Sequence, residues 1–279
     1  MNSIAIHRVD GKNLSGIIPA IVNVFRDDEV VPWHRYDECA AWVKRRAERG
    51  FYIAAAYDGD KMAGYSEWIE TYDGGKKILY LGLMHVDCDL RGRGIGGAML
   101  ADGEKYAKSI GASILRTIPE DERSHNFYRK NGYVDTDLIY ECICPASASS
   151  ALPQDGEPAA LTLDIVNTHE FIFGLCQSSG RHMYECANYN PEIGEYTAKT
   201  AHLPGGYLQF RHREGSKNAL VLYWSNEEVT AERISAIIAR GYEAGFEEVE
   251  FVFRSKYKHL FVCNNVTHAE TEIERMIRL

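Results

Sequence analysis

The residues best placed to do chemistry lie in one short run, Arg91-Gly92-Arg93-Gly94-Ile95-Gly96-Gly97. A hydrophobic stretch ending at Val86 leads into it, and an apolar-striped helix beginning at Ile95 leads out. Glycine lets a backbone turn sharply and lets a ligand approach without meeting a Cβ. The N–H groups that open a helix have no intrahelical acceptor and point the same way, so a glycine loop feeding a helix is a site for phosphate oxygens. Arg91 and Arg93 add positive charge. The run lacks the Gly-Lys-Ser/Thr ending of a P-loop. The spacing Gly92-x-Gly94-x-x-Gly97 fits a dinucleotide fingerprint, but the strands before it are joined by the hairpin turns Asp58-Gly59-Asp60 and Asp73-Gly74-Gly75, not by a parallel βαβ unit. Chemistry for a pyrophosphate remains.

Arg91-x-x-Gly94-x-Gly96, placed after a strand and opening an apolar helix, resembles the acetyl-CoA loop of the GNAT superfamily of N-acetyltransferases. Ser124-His125-Asn126-Phe127-Tyr128-Arg129-Lys130-Asn131-Gly132-Tyr133 is similar to that superfamily's Phe-Tyr-x-x-x-Gly-Phe/Tyr segment. The resemblance covers about residues 3–145. It implies acetyl-CoA as co-substrate, with no metal. The backbone of Arg91, Gly92, Arg93, Gly94, Ile95, Gly96 and Gly97 would hold the pyrophosphate. The strand residues Met84, His85 and Val86 would run beside the pantetheine arm, with the N–H groups of Met84 and Val86 as donors. Tyr128 would protonate the departing thiolate. Asp121 and Ser124 stand where the family often has Asn and Ala. Asp121 can accept a hydrogen bond from the pantetheine but cannot donate one.

Direct transfer from a thioester needs a free amine, and an amine reaches the site as ammonium, so a base is required. The strand Ile78 to Val86 holds no carboxylate. Glu67 and Glu70 on the preceding strand are three apart and therefore face opposite ways, so one of them lines the cleft. Glu70 is the first choice and Glu67 the second; Tyr80 and His85 are further candidates. Val31-Pro32-Trp33-His34-Arg35-Tyr36 offers an aromatic wall for an acceptor or simple packing for Trp33.

These residues need a frame. Periodicity and turn residues predict strands at 4–9, 51–57, 62–72, 78–86, 114–118 and 133–143, with helices at 14–25, 36–49, 95–110 and 122–130. Asn13 is a candidate cap for the first helix. The order is that of an α/β protein with a mixed sheet and helices on both faces. Residues 145–160, rich in Pro, Ala, Ser and Gly, read as a linker between a catalytic domain at 1–144 and a second, smaller α/β domain at 161–279. In that second half, 161–166, 207–213, 219–224 and 249–253 read as strands, and 168–177 and 230–244 as helices. The order strand, helix ending in glycine, strand echoes the first half, so a degenerate second GNAT-like copy is one reading and an unrelated α/β domain the other. Ser225-Asn226-Glu227-Glu228 replaces the glycine loop there, and its carboxylates would repel a pyrophosphate.

Composition bounds the rest. A net charge of −9 over 279 residues argues against a nucleic-acid partner and is compatible with a cationic acceptor, a small-molecule or peptide amine. No apolar run is long enough to span a bilayer, and no signal peptide is evident. Seven scattered cysteines suit reduced thiols in a cytoplasm. Cys142-Ile143-Cys144 lacks a second pair at metal-site spacing. A homodimer is left open. The reading is an acetyl-CoA-dependent N-acetyltransferase; the alternative is a non-catalytic acyl-CoA sensor.

Overall fold

The computed structural model describes residues 4–10, 12, 14–27, 33, 35–73, 75–148, 162, 172–174, 196–225, 227–261 and 266–278. Asn13, the 161–166 stretch apart from Thr162 and most of the expected linker lie outside them. Two compact units emerge: residues 1–70, 77–117 and 275–279 in the first, 71–76 and 118–274 in the second.

The first unit begins with β1 (Ile4–Val9), α1 (Leu14–Val24) and α2 (Tyr36–Glu48). Then come β2 (Tyr52–Asp58), β3 (Lys61–Asp73), β4 (Lys76–Val86), α3 (Ile95–Ile110) and β5 (Ile114–Thr117). The strands lie in chain order, β1-β2-β3-β4-β5. β1 and β2 pair antiparallel, as do β2 and β3, whereas β4 and β5 are parallel with α3 as their crossover. Alternation sorts the side chains between two faces. Ile53, Ala55, Tyr65 and Tyr80 join Ile18, Ile21 and Phe25 beneath α1 and Cys39 and Val43 of α2. Ala56 and Ala63 meet Ile95 and Met99 of α3 on the other face. α3 lies close to the sheet because Gly103 faces the Trp68 indole, which an added Cβ would overlap. Trp68 is fully buried and its Nε1 donates to Ser66 Oγ at 3.2 Å, so the ring is held in place. Gly103→Ala is therefore expected to destabilise the fold by about 1–3 kcal/mol despite its better helix propensity. A thermal or urea melt checks this; an unchanged midpoint would mean that the helix lifts off the sheet without cost.

The second unit holds α4 (Glu122–Lys130), β6 (Val134–Pro145), β7 (Tyr196–Ala201), β8 (Gly206–Arg213), β9 (Asn218–Ser225), α5 (Ala231–Glu243), β10 (Glu248–Arg254) and most of β11 (Val266–Met276). Its strand order is β11-β6-β10-β9-β8-β7. β9 and β10 are parallel, joined through α5, and Ala219 lies opposite Val249. Phe210, Tyr223, Phe251, Phe253 and Phe261 pack with Ile234 and Ile237 of α5 into one aromatic core.

The expected elements of the first 145 residues are present, and the strand, helix, strand order of the second half is too. Part of the helix expected at 168–177 is corrected. Phe173 instead bridges Tyr223 in the antiparallel sense, the two backbones exchanging N–H···O bonds of 3.2 and 2.9 Å. The aromatic core explains this, since Phe173 is 1% exposed and meets Phe251, Phe253 and Phe261 edge-on. β7 and β11 are strands that the sequence reading did not include. Among the described residues no helix is long and apolar enough to cross a membrane.

Candidate active site

Asp87 opens the glycine loop. Its side chain accepts from Asp89 N at 3.0 Å and its carbonyl from Leu90 N at 2.9 Å, which curls Cys88–Leu90 into a 3-10 turn. Arg91 follows in an extended conformation, and Gly92 and Gly94 then take φ of 81° and 84°. Only glycine adopts that region without strain, so the chain reverses here and enters α3 at Gly94. Gly94 has no side chain to cap the helix, and the first turn carries no acidic residue. The opening N–H groups of α3 thus keep their positive end for a ligand.

β4 leads into this loop with a bare edge. Its ladder with β5 runs from Ile78↔Ile114 to Tyr80↔Arg116, and β4 continues through residue 86. Beyond the ladder the Thr117 hydroxyl donates to the Leu81 carbonyl at 2.9 Å, a side chain in place of the next backbone bond. Alternation also slips by one residue here. Tyr80 and Leu83 pack on the α1–α2 side, whereas Met84 and Val86 pack on the α3 side. Gly82, exposed in mid-strand, marks the slip. His85 consequently turns toward α1, where its ring lies 4.6 Å from Phe25.

The residues after α1 clasp the loop by charge. Arg26 Nη2 donates to Asp87 Oδ1 at 2.7 Å and Asp89 Oδ2 at 2.6 Å, with Cys88 Sγ at 3.1 Å. Lys61 meets the second oxygen of fully buried Asp87 at 3.1 Å. The Arg26 hydrogen bond, followed by the Lys61 bond and the Asp89 N–H, holds the Asp87 carboxyl far below its ordinary range despite burial. Asp27 turns the other way. One oxygen takes His85 Nε2 at 3.0 Å and the other takes Arg91 Nη2 at 2.6 Å. Asp87, Cys88 and Asp89 are the one grouping with metal-ligand geometry among the described residues, and Arg26 already fills it.

A carboxylate is buried on the α1–α2 side. Glu67 is 2% exposed, and its Oε1 accepts from Tyr65 Oη at 2.7 Å and Trp42 Nε1 at 3.0 Å. Arg46 lies 3.6 Å from Oε2, with its guanidinium over the Trp42 and Phe51 rings. Burial pushes the Glu67 pKa up, partly offset by the Arg46 charge and the two donors. The backbone of Glu67 lies beside exposed Gly82, 3.9 Å from where a Cβ would stand.

The profile of the Acetyltransferase (GNAT) family matches residues 18–133, which run from within α1 to the residue before β6 and enclose the loop. Residues 18–133 are a GNAT acetyltransferase domain. An uncharacterized N-acetyltransferase of Methanocaldococcus jannaschii is 27% identical over 104 residues, which is 35% of this chain and 45% of that protein. The chain thus aligns with less than half the length of that curated relative. The fold extends further. GCN5-related N-acetyltransferases from Kribbella flavida and Anabaena variabilis superpose with TM-scores of 0.64 each, at 15% and 14% identity. They cover 99% and 98% of this chain and 71% and 73% of their own.

The residues singled out from sequence fall into distinct settings. Arg91 to Gly97 form the loop and first turn just described, and Arg93 reaches Asp58 at 3.3 Å. Met84, His85 and Val86 end the bare edge of β4. Glu70 lies on the α3 side of β3, paired with Lys77 at 2.8 Å, while Lys77 also donates to the Ile110 carbonyl at 3.0 Å. Asp121 and Ser124 answer each other across the first turn of α4. Asp121 Oδ1 accepts from Ser124 N at 2.7 Å, and Ser124 Oγ accepts from Asp121 N at 3.0 Å. This capping box also holds the Asp121 carboxyl below its ordinary value. Tyr128 is buried on α4 between Phe127 and Tyr133, at ring separations of 5.2 and 5.3 Å. Trp33 is a packing residue, 3% exposed and stacked on Phe25 at 4.3 Å. Cys142 and Cys144 are buried side by side in the second unit's core, with sulfurs 3.6 Å apart.

Asp27, Arg26 and the Tyr65–Glu67 pair were not prominent from sequence. A signal for the pair exists. Gly64-Tyr65-Ser66-Glu67-Trp68 on β3 is echoed by Gly206-Tyr207-Leu208-Gln209-Phe210 on β8. Each segment precedes a strand, helix, parallel-strand crossover whose helix is followed by a left-handed glycine, Gly111 or Gly245. In each, the tyrosine hydrogen-bonds the residue two positions on, and Gln209 Nε2 donates to Tyr207 Oη at 3.0 Å.

Proposed function

We propose that the chain is an enzyme that moves the acetyl group of acetyl-CoA to a primary amine of a small molecule or peptide, by direct attack in a ternary complex. The observation that carries the reading is the uncapped, glycine-opened N-terminus of α3 at the end of the bare edge of β4. The backbone from Arg91 to Gly97 holds the pyrophosphate, and β4 lends its Met84 and Val86 N–H groups to the pantetheine and the thioester oxygen. Glu67 takes the ammonium proton, directly or through water. It is the carboxylate on the α1–α2 side of β3, whereas Glu70 is on the α3 side and tied to Lys77. A base in this position answers one of the two grounds for the non-catalytic sensor, the lack of a carboxylate in β4; the other is Asp121 in the place of Asn.

Tyr128, from its place in the Phe-Tyr segment, protonates the thiolate; Asp121 and Ser124 set the start of its helix. A thiol of ordinary pKa near 8.5 leaves readily as thiolate at neutral pH. Tyr128→Phe is therefore expected to lower kcat by only about tenfold, below the usual range of about 10²–10⁴ for acid catalysis. An unchanged kcat would remove Tyr128 from this role.

The proposed division remains a catalytic part at 1–144, a linker at 145–160 and a second copy at 161–279. That copy has Gln209 in the place of Glu67. Its helix α5 is capped by Thr230, and Glu227 nearby pairs with Arg233. It is read as catalytically silent. The test is isothermal titration of acetyl-CoA together with thiol release against a panel of amines and peptide N-termini. Binding at one site per chain with turnover of some amine supports the proposal. Binding without turnover points to the sensor, and no binding overturns it.

A further inference from the structure

Successive residues at the end of α1 grip the two ends of the loop with opposite charges. Arg26 binds the Asp87–Asp89 turn through Nη2 and the Asn23 carbonyl through Nη1, an internal brace. Asp27 is different, because it holds a group that the ligand also wants. Arg91 donates through Nε to the Val86 carbonyl at 3.0 Å and through Nη2 to Asp27 at 2.6 Å, and the same Nη2 lies 3.3 Å from His85 Nε2. Without ligand, then, the first cation of the phosphate loop is neutralised by a carboxylate from the α1 side. The Asp27 side chain keeps 29% of its exposure, so it is open to solvent and to a small ligand. Burial alone would raise its pKa, but the His85 bond and the Arg91 charge more than offset this and keep it an anion. Around it, the His85 ring lies tilted against Phe25, and Phe25 meets Tyr65, the partner of Glu67, at 5.7 Å.

We infer that Asp27 is the acceptor's ammonium anchor, and that acyl-CoA creates this anchor by drawing Arg91 away from it. A pyrophosphate carries two charges against the single charge of Asp27, and guanidinium–phosphate pairs are strong and bidentate. Once Arg91 turns to the phosphate, Asp27, an exposed residue, keeps His85 alone of its partners among the described residues and carries a charge without its cation. A primary ammonium replaces what it lost. Cofactor and acceptor thereby favour each other's binding, and the coupling must be reciprocal. The inference rests on the acyltransferase reading and adds to it the residue that anchors the acceptor and the order of binding.

The test uses the full chain and coenzyme A itself, which cannot turn over. In Asp27→Asn, Arg91 is already free, so coenzyme A binds about threefold to tenfold tighter by titration. The KM of the best amine of the panel rises at least about tenfold while kcat changes little, as expected when uniform binding is lost. Saturating amine raises coenzyme A affinity in the wild type and not in Asp27→Asn. Asp27→Glu, which keeps the charge, restores much of the amine affinity. Weaker coenzyme A binding by Asp27→Asn with an unshifted melt, or an unmoved amine KM, would reduce Asp27 to a structural brace and overturn the inference. If no amine is acetylated by the wild type, the enzymatic reading fails instead. The coenzyme A arm still reports then whether Asp27 restrains Arg91.

Discussion

Gly94→Asp is expected to weaken acetyl-CoA binding by roughly 100-fold or more, with little change in stability. The estimate follows from losing about two charge-assisted hydrogen bonds of about 1.5–3 kcal/mol each, with charge repulsion added. An added Cβ at Gly94 meets nothing within 4 Å, so no atom must move to admit the side chain. The cost is conformational, because φ is 84° and an L residue there pays about 1–2 kcal/mol, with Asp among the more tolerant types. A carboxylate at a helix N-terminus returns about 0.5–1 kcal/mol through the free N–H groups and the dipole. Those are the same N–H groups the pyrophosphate needs. The variant places a permanent anion where the ligand's would sit. Titration and a melt on the same sample check the two halves of the expectation. Wild-type affinity in a folded Gly94→Asp would show that the phosphates bind elsewhere. Arg91→Glu is a poorer probe, since Arg91 also pairs with Asp27 and its loss disturbs the clasp.

The loop and its helix were legible because everything that makes them is local. Glycines at positive φ, an apolar stripe and a terminal Gly111 bound α3 at the residues that the sequence indicates, Ile95 and Ile110. β11 was not legible for the opposite reason. Val266–Met276 reads Val-Thr-His-Ala-Glu-Thr-Glu-Ile-Glu-Arg-Met, with more charge than a strand usually carries. It is a strand because β6 supplies its partner, with Ile273 opposite Asp135 and fully buried. Glu272 is tolerated at 3% exposure because Arg254 reaches it at 3.1 Å. Neither the partner nor the counter-ion is visible from the segment itself. The clasp was hidden likewise, since Asp27 and Arg91 are 64 residues apart. The base lay between these cases. That Glu67 and Glu70 face opposite ways follows from strand alternation alone. Which face holds the helix α3 does not, until Gly64 and Gly103 are seen against Met99 and Trp68. The echo of Gly64-Tyr65-Ser66-Glu67-Trp68 in the second half was the one sequence signal that marked Glu67 rather than Glu70.

Glu67→Gln is expected to lower kcat by roughly 10²–10⁴-fold, the range for loss of a positioned general base. The amide is isosteric and can still accept from Tyr65 and Trp42, so the pocket is preserved. What disappears is the capacity to take a proton. The pH profile separates this role from a structural one. Burial raises the Glu67 pKa above its ordinary 4.5, so the wild-type rate should fall on the acid side at a pH higher than that value. In Glu67→Gln that limb vanishes, and only the ionisation of the amine shapes the residual rate. Stability carries a second signature. A carboxyl whose folded pKa is raised favours the fold while protonated. Its contribution is full below the unfolded value and declines as pH rises through the folded one. The stability of the wild type relative to Glu67→Gln should therefore decrease across that window and level off above it. Arg46 lessens the slope, since its charge favours the ionised carboxyl and reduces the upward shift. Melts of both proteins between pH 4 and 8 read the slope. A Glu67→Gln enzyme with undiminished kcat and an intact acid limb would leave Glu67 as a buried hydrogen-bond acceptor, like Gln209 in the second unit, and the proton would have to leave by another path.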